Sequence, residues 1–204
     1  SDRQPRGDCD VLVVESTYGD RNHRPLADTE AELIEVIDSV LHQRHGNLIV
    51  PAFALGRAQE LLLLLYRLAR DRRVRVPLVF VDSPLARQAA DVTFRHLDAL
   101  DELAAEFHAH ERARKLPFTL RYTESVEDSM FLNSIANGAI IIAASGMCEA
   151  GRIRHHLRHH LGRRQSGILF TGYQAAGTLG RKIVDGAKSV RLFGETIPVQ
   201  ASIH

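Results

Sequence analysis

Short, unbroken apolar runs alternate along this chain with longer stretches in which apolar residues return at helical spacing. The runs fall at 10–14, 47–50, 78–81, 139–143 and 167–170, and continuous runs of this length predict strands buried on both faces. Between them, 27–45 places Leu33, Ile34, Ile37, Val40 and Leu41 on one helical face, with Thr29 and Glu32 spaced as a capping box. Residues 56–73 are Leu-rich nearly all round, which predicts a well-buried helix. Residues 84–97, 125–137 and 149–161 read as three more helices, and the charged stretch 98–114 as either a helix or an excursion from the core. A βαβα order of this kind implies an α/β fold: a doubly wound, mostly parallel sheet flanked by helices. Residues 118–122 predict an additional strand. Residues 189–193 and 197–203, around Gly194-Glu195, predict a short C-terminal hairpin.

The 204 residues, 45% hydrophobic and 25% charged, suit one soluble globular domain spanning 1–204. The last residues, Ala201-Ser202-Ile203-His204, stop in mid-pattern, so the expectation is a piece of a larger protein. Cys9 and Cys148 form neither a disulfide framework nor a CxxC pair, which fits a reducing, cytoplasmic setting. No apolar run is long enough to span a bilayer, and residues 1–6 lack a secretory apolar region, so no membrane partner is expected. Net charge is only +1, but it is unevenly spread. From Cys148 to Arg191 nine Lys/Arg face only Glu149 and Asp185, whereas Asp28, Glu30, Glu32, Glu35 and Asp38 face only Arg44.

Candidate chemistry gathers where the strands end. Val14 leads to Glu15-Ser16-Thr17-Tyr18-Gly19, Val50 to a loop holding Phe53, Gly56 and Arg57, and Val81 to Asp82-Ser83-Pro84. Ala143 leads to Ala144-Ser145-Gly146-Met147, and Phe170 to Thr171-Gly172-Tyr173-Gln174. In a parallel sheet these ends share one edge, the edge at which open α/β sheets bind ligands. Small residues there let backbone approach a ligand, and helix N-termini supply N–H groups for phosphate. Such sheets also need Gly, Ser and Pro at these turns for purely structural reasons. Arg57, Arg152 and Arg181 stand early in predicted helices, where a cation opposes the helix dipole and an anionic ligand would offset the cost.

Other chemistries find little support. His155/His159 and His156/His160 are i, i+4 pairs, but no Glu lies between them as in HExxH, and His108-Ala109-His110 lacks acidic company, so no metal ligand is assigned. No GxGxxG follows a strand, and no Walker loop or GxSxG elbow is present.

Val14 to Arg21, Pro51 to Glu60, Asp82 to Ala86, Ala144 to Arg152 and Gly172 to Arg181 together resemble the β-CASP domain of metallo-β-lactamase-fold nucleases, the bacterial RNA-processing type in particular. The resemblance runs in order through most of the chain. It implies a lid over a two-zinc, metallo-β-lactamase-type site, with RNA in the cleft between the two domains of one polypeptide. Zinc would activate water there. Glu15 matches the acidic residue that pairs with a histidine acting as general acid, and is the one catalytic assignment. Ser145 and the Gly177-Thr178 turn match segments along the RNA path. Ser16, Thr17, Ser83, Gly146, Met147 and Gln174 join them as expected RNA contacts. Tyr18, Phe53 and Tyr173 are expected to stack on bases, and Arg57, Arg152 and Arg181 to hold phosphates. The HxHxDH zinc motif of that family is absent, and its later histidine motifs would follow His204, so this chain is expected to lack the zinc ligands and to be inert alone. A homodimer is left open. Two alternatives remain: a non-catalytic single-stranded nucleic-acid-binding module, and a doubly wound domain for a small phosphorylated ligand.

Overall fold

Alternation along each central strand decides the layering. In the computed structural model, which describes residues 10–20, 22, 25–93 and 101–204, the chain forms strands β1 (Leu48–Pro51), β2 (Leu78–Asp82), β3 (Thr119–Tyr122), β4 (Ala139–Ala143), β5 (Gly167–Ile168), β6 (Ser189–Leu192), β7 (Glu195–Pro198) and β8 (Ser202–Ile203). The helices are α1 (Leu26–Ile37), α2 (Arg57–Arg70), α3 (Pro84–Thr93), α4 (Glu102–Arg112), α5 (Val126–Leu132), α6 (Ile153–His160) and α7 (Leu179–Val184). Leu48, Val50, Val79, Val81, Ile140 and Ile142 point into a core with α1, α2 and Phe107 of α4. Ile49, Phe80, Ile141 and Ile168 point the other way, against Leu132, Leu157, Ile183 and Leu192. Both faces of the sheet are therefore covered, which is why its strands read as unbroken apolar runs.

The sheet is six-stranded, in the order β3-β2-β4-β1-β5-β8, and every pairing in it is parallel. β6 and β7 form a separate antiparallel hairpin. The doubly wound α/β architecture and the hairpin expected from the sequence are both present. The stretch 197–203 is not one strand, however. Gln200 and Ala201 N–H both donate to the Leu161 carbonyl (2.8 and 2.9 Å), which turns the chain so that β8 returns to the main sheet beside β5.

Two further expectations are corrected. Residues 10–14 are no strand: Val11, Leu12, Val13 and Val14 are 79%, 75%, 92% and 63% exposed. The sheet runs from β3 to β8 without this run, and its hydrophobicity gave no sign of which surface would cover it. The Thr29/Glu32 capping box is not made, because α1 starts earlier, after Pro25, and Thr29 Oγ1 donates to the Pro25 carbonyl instead (3.4 Å). The capping box of this fold joins Ser125 and Asp128 at α5. In the charged stretch 98–114, the described residues are helical over α4, capped by Asp101. Cys9, Arg21 and the 94–97 end of the predicted 84–97 helix lie outside the described residues. Among the described residues, no helix is long and apolar enough to cross a membrane.

Asn47, fully buried just before β1, ties this strand to its neighbour. Its Nδ2 donates to the Ile135 carbonyl (2.8 Å) and its Oδ1 accepts from Ala139 N–H (3.0 Å). Asn47→Ala orphans the buried Ala139 N–H and strips the part-buried Ile135 carbonyl of its donor, and is expected to destabilise the fold by roughly 1–3 kcal/mol, measured by urea denaturation.

Candidate functional site

The topology picks out one crevice. From β1 the chain passes to α2 on one face of the sheet; from the adjacent β4 it passes to α6 on the other face. Loops that diverge from neighbouring parallel strands leave an opening at their carboxyl ends. Phe53 and the Gly146 backbone meet there. A Cβ on Gly146 would stand 2.9 Å from Phe53 Cδ2, so only glycine allows this approach. Phe53 itself is half exposed.

The loop after β5 closes onto the same place. Gln174 is buried, and its Nε2 donates to the carbonyls of Gly146 (3.0 Å) and Gly172 (3.2 Å). Gly180 N–H donates to the Met147 carbonyl (3.1 Å). Glu149 accepts from Leu179 N–H, and Thr178 Oγ1, capping α7, accepts from Arg181 N–H (3.2 Å). The Tyr18 hydroxyl accepts from Tyr173 N–H (2.9 Å), and the two rings meet edge to face at 6.3 Å. Thus four predicted loops, those of Tyr18, Phe53, Ser145–Met147 and Tyr173–Arg181, are brought together. Ser145 closes its own loop, exchanging hydrogen bonds with the Ala150 carbonyl (3.1 Å) and N–H (3.3 Å). Gly177 lies in the turn before α7, with φ +87° and open space around it.

Glu15 opens the turn that carries Tyr18 into this knot. It is exposed, and its Oε1 accepts from Thr17 N–H (2.6 Å). The Thr17 hydroxyl and N–H hold its carboxyl below the usual glutamate range. Ser16 accepts from Gly19 N–H through its carbonyl (2.9 Å). Ser83 is buried and caps α3, accepting from Ala86 N–H (3.2 Å). Arg57 pairs with Glu60 (2.8 Å) and Arg181 with Asp185 (2.8 Å), each on its own helix and well exposed. Arg57 also borders an apolar cavity of about 480 Å³ between α1 and α2, shared with Leu61, Thr171 and His204.

Arg152 has a different position from the other two arginines. Its Nη1 donates to Asp82 Oδ1 (2.8 Å) and its Nη2 to the Glu124 carbonyl (2.9 Å). Asp82, the wholly enclosed last residue of β2, also accepts from His156 Nε2 (2.6 Å), Ser129 Oγ (2.6 Å) and the Thr123 hydroxyl. Burial pushes the Asp82 carboxyl up, but the bonds from His156, Ser129 and Thr123 outweigh it and hold it at about 2. Sequence reasoning gave Asp82 and His156 no role. The available signal was an acid closing a strand as apolar as Leu78-Val79-Phe80-Val81, where an unpaired carboxylate could not be buried.

The histidine pairs do not fit a metal. His156 is engaged by Asp82, and the buried His160 has Ser166 Oγ 3.2 Å from its Nδ1, while His155 and His159 face solvent. Among the described residues, no group of three or more His, Cys, Asp or Glu side chains is placed to hold a metal ion. Cys148 is a buried free thiol, pushed up to about 12 by burial.

A model of the Beta-Casp domain matches residues 58–183, from α2 to α7, including the Asp82 cluster and the β4–α6 loop. The chain is 38% identical over 199 residues to a ribonuclease of Thermus thermophilus, covering 96% of this chain and 45% of that protein. It is 31% identical over 198 residues to an RNase J-like protein of Methanocaldococcus jannaschii, with 96% and 45% covered. It is 30% identical over 197 residues to the endoribonuclease ysh1 of Schizosaccharomyces pombe, with 96% and 25% covered. The chain spans less than half the length of each of these relatives.

The Asp82 cluster has a pH signature. A carboxyl held at about 2 in the fold, against an ordinary value near 3.8, adds stability above pH ~4 that is lost as pH falls toward 2. The loss is expected to be on the order of 2 kcal/mol. Asp82→Asn is expected to cost about 3–5 kcal/mol at neutral pH, by stripping Arg152 and His156 of their partner, and to flatten the acid limb. Urea denaturation from pH 2 to 7 measures both.

Proposed function

The chain belongs to the Beta-Casp domain family, and on that premise we propose that it is the RNA-binding lid of an RNA-processing nuclease. On this reading it closes over a zinc-dependent, metallo-β-lactamase-type active site supplied by the rest of the polypeptide. The observation that carries the reading is the knot at the carboxyl edge of the sheet. There the Tyr18–Tyr173 pair and the Phe53–Gly146 contact bring three partly exposed aromatic rings to one rim. Relatives that carry the names ribonuclease, RNase J-like protein and endoribonuclease support RNA as the ligand.

In this proposal Tyr18, Phe53 and Tyr173 stack on bases, a contact that every base can make. Arg57 and Arg181 hold phosphates. Their present partners are exposed acids on the same helix, and such pairs are weak enough for a phosphate to displace. Arg152 acts indirectly, gripping Asp82 and so fixing the loop that carries Ser145, Gly146 and Met147. The Glu15 carboxyl is held ionised by Thr17, so it serves as an acceptor that orients a histidine and not as a proton donor itself. The zinc ligands, two ions' worth, belong to residues outside this chain.

The 204-residue chain is expected to bind single-stranded RNA with an affinity that falls steadily with salt. Tyr173→Ala is expected to weaken it by about 1–3 kcal/mol. Added zinc is expected to produce no RNA cleavage. Fluorescence anisotropy and a gel cleavage assay measure these outcomes. Absence of RNA binding, displacement of RNA by mononucleotides at equal concentration, or zinc-dependent cleavage by the chain itself would each overturn the proposal.

A further inference from the structure

The hairpin β6–β7 turns through Phe193-Gly194, and both residues have positive φ, +49° and +83°. Two left-handed residues in a two-residue loop are the type I′ pattern, which favours Asn-Gly or Gly-Gly. A phenylalanine at its first position is strained, because its Cβ crowds the backbone there. Nor does burial reward it, since Phe193 is 44% exposed. The ring is nonetheless held firmly. The His155 imidazole stacks on it at 4.5 Å and 28°, and the Arg154 guanidinium lies 4.8 Å from its centroid. A strained, exposed and braced aromatic points to recognition.

The surroundings say what would be recognised. Arg191 lies on the exposed side of β6, two residues before Phe193, and Lys188 stands at the foot of the same strand. Lys182 is on α7, which packs on β6. Arg154, Lys182, Lys188 and Arg191 have no acidic partner among the described residues. A polyanion carrying planar rings meets both requirements, the unpaired cations and the exposed stack. The position is also right. α6 follows directly on the β4–α6 loop that carries Gly146, and Arg154 and His155 lie in its first turn, two and three residues after Arg152.

We infer that the Arg154–Phe193–His155 stack and the neighbouring cations form a second contact surface for single-stranded RNA, which takes the strand onward from the crevice along α6. This rests on the RNA-binding reading above and extends the path beyond the residues assigned to it.

Two labelled oligouridines test it on the 204-residue chain. One, of about 6 nucleotides, fills the crevice alone; the other, of about 18, reaches the hairpin. Phe193→Asn supplies the residue a type I′ turn prefers, so it is expected to keep or raise Tm. It is also expected to weaken the long oligomer about five-fold or more while leaving the short one unchanged. His155→Ala, an exposed helix position, is expected to act in the same direction to a smaller extent. Long-oligomer binding unchanged in both variants, with Tyr173→Ala still weakening the short one, overturns this inference and leaves the crevice reading standing. No binding of either oligomer by the unaltered chain overturns both. A fall in Tm with equal losses for both oligomers marks Phe193 as a packing residue, and displacement of the long oligomer by polyglutamate of equal length marks the surface as one for acidic protein. Either result also overturns the inference.

Discussion

The buried charge of Asp82 has to be met, and four side chains from three elements are arranged to meet it. Thr123 follows β3, Ser129 belongs to α5, Arg152 precedes α6 and His156 lies within it. An isolated carboxylate in such surroundings costs several kcal/mol, so the fold tolerates it only with all its lone pairs occupied. The same bonds therefore fix where α6 starts, and with it where the loop from Ala144 to Gly151 must run. That loop presents Gly146 to Phe53 and the Met147 carbonyl to Gly180. The ordering of the candidate site thus follows from neutralising one charge behind it, and the residues at its rim need no strong interaction of their own to hold position.

Much of this was legible because the central strands are covered on both faces. Runs such as 139–143 have only one sensible place in an α/β fold, and β4 occupies those residues. The crevice was legible for a related reason: strand ends in a parallel sheet share one edge. The failures have physical causes as well. The run 10–14 has the composition of a buried strand, yet apolarity reports a need for cover and says nothing of who provides it. The split of 197–203 depends on the Leu161 carbonyl, a partner remote in sequence. The Asp82 cluster joins residues up to 74 positions apart, and only the topology brings them together.

Arginine illustrates why residue type alone assigns so little. Arg152, Arg57 and Arg181 look alike in sequence, each early in a helix and near a glycine-bearing loop. The fold separates them. Arg152 is spent on a buried carboxylate, where its planar fork bridges Asp82 and the Glu124 carbonyl. Arg57 and Arg181 hold exposed acids three and four residues away, pairs worth a few tenths of a kcal/mol and easily exchanged. The basic bias between Cys148 and Arg191 therefore divides into an architectural part, Arg152, and a solvent-facing part that includes Arg158, Lys182, Lys188 and Arg191.

The two acids that close apolar runs, Glu15 and Asp82, make the same point from the other sign. Each follows a valine-rich run, and both have lowered pKa values. In Asp82 the lowering is won against burial, by partners that leave no vacancy for anything else. In Glu15 it comes from the Thr17 hydroxyl and N–H alone, with the carboxylate still facing solvent. Ionisation at neutral pH is therefore common to both, and availability is what separates them. An enclosed carboxylate organises its own fold, whereas an exposed one, held ionised by a two-residue turn, still turns acceptor oxygens to solvent.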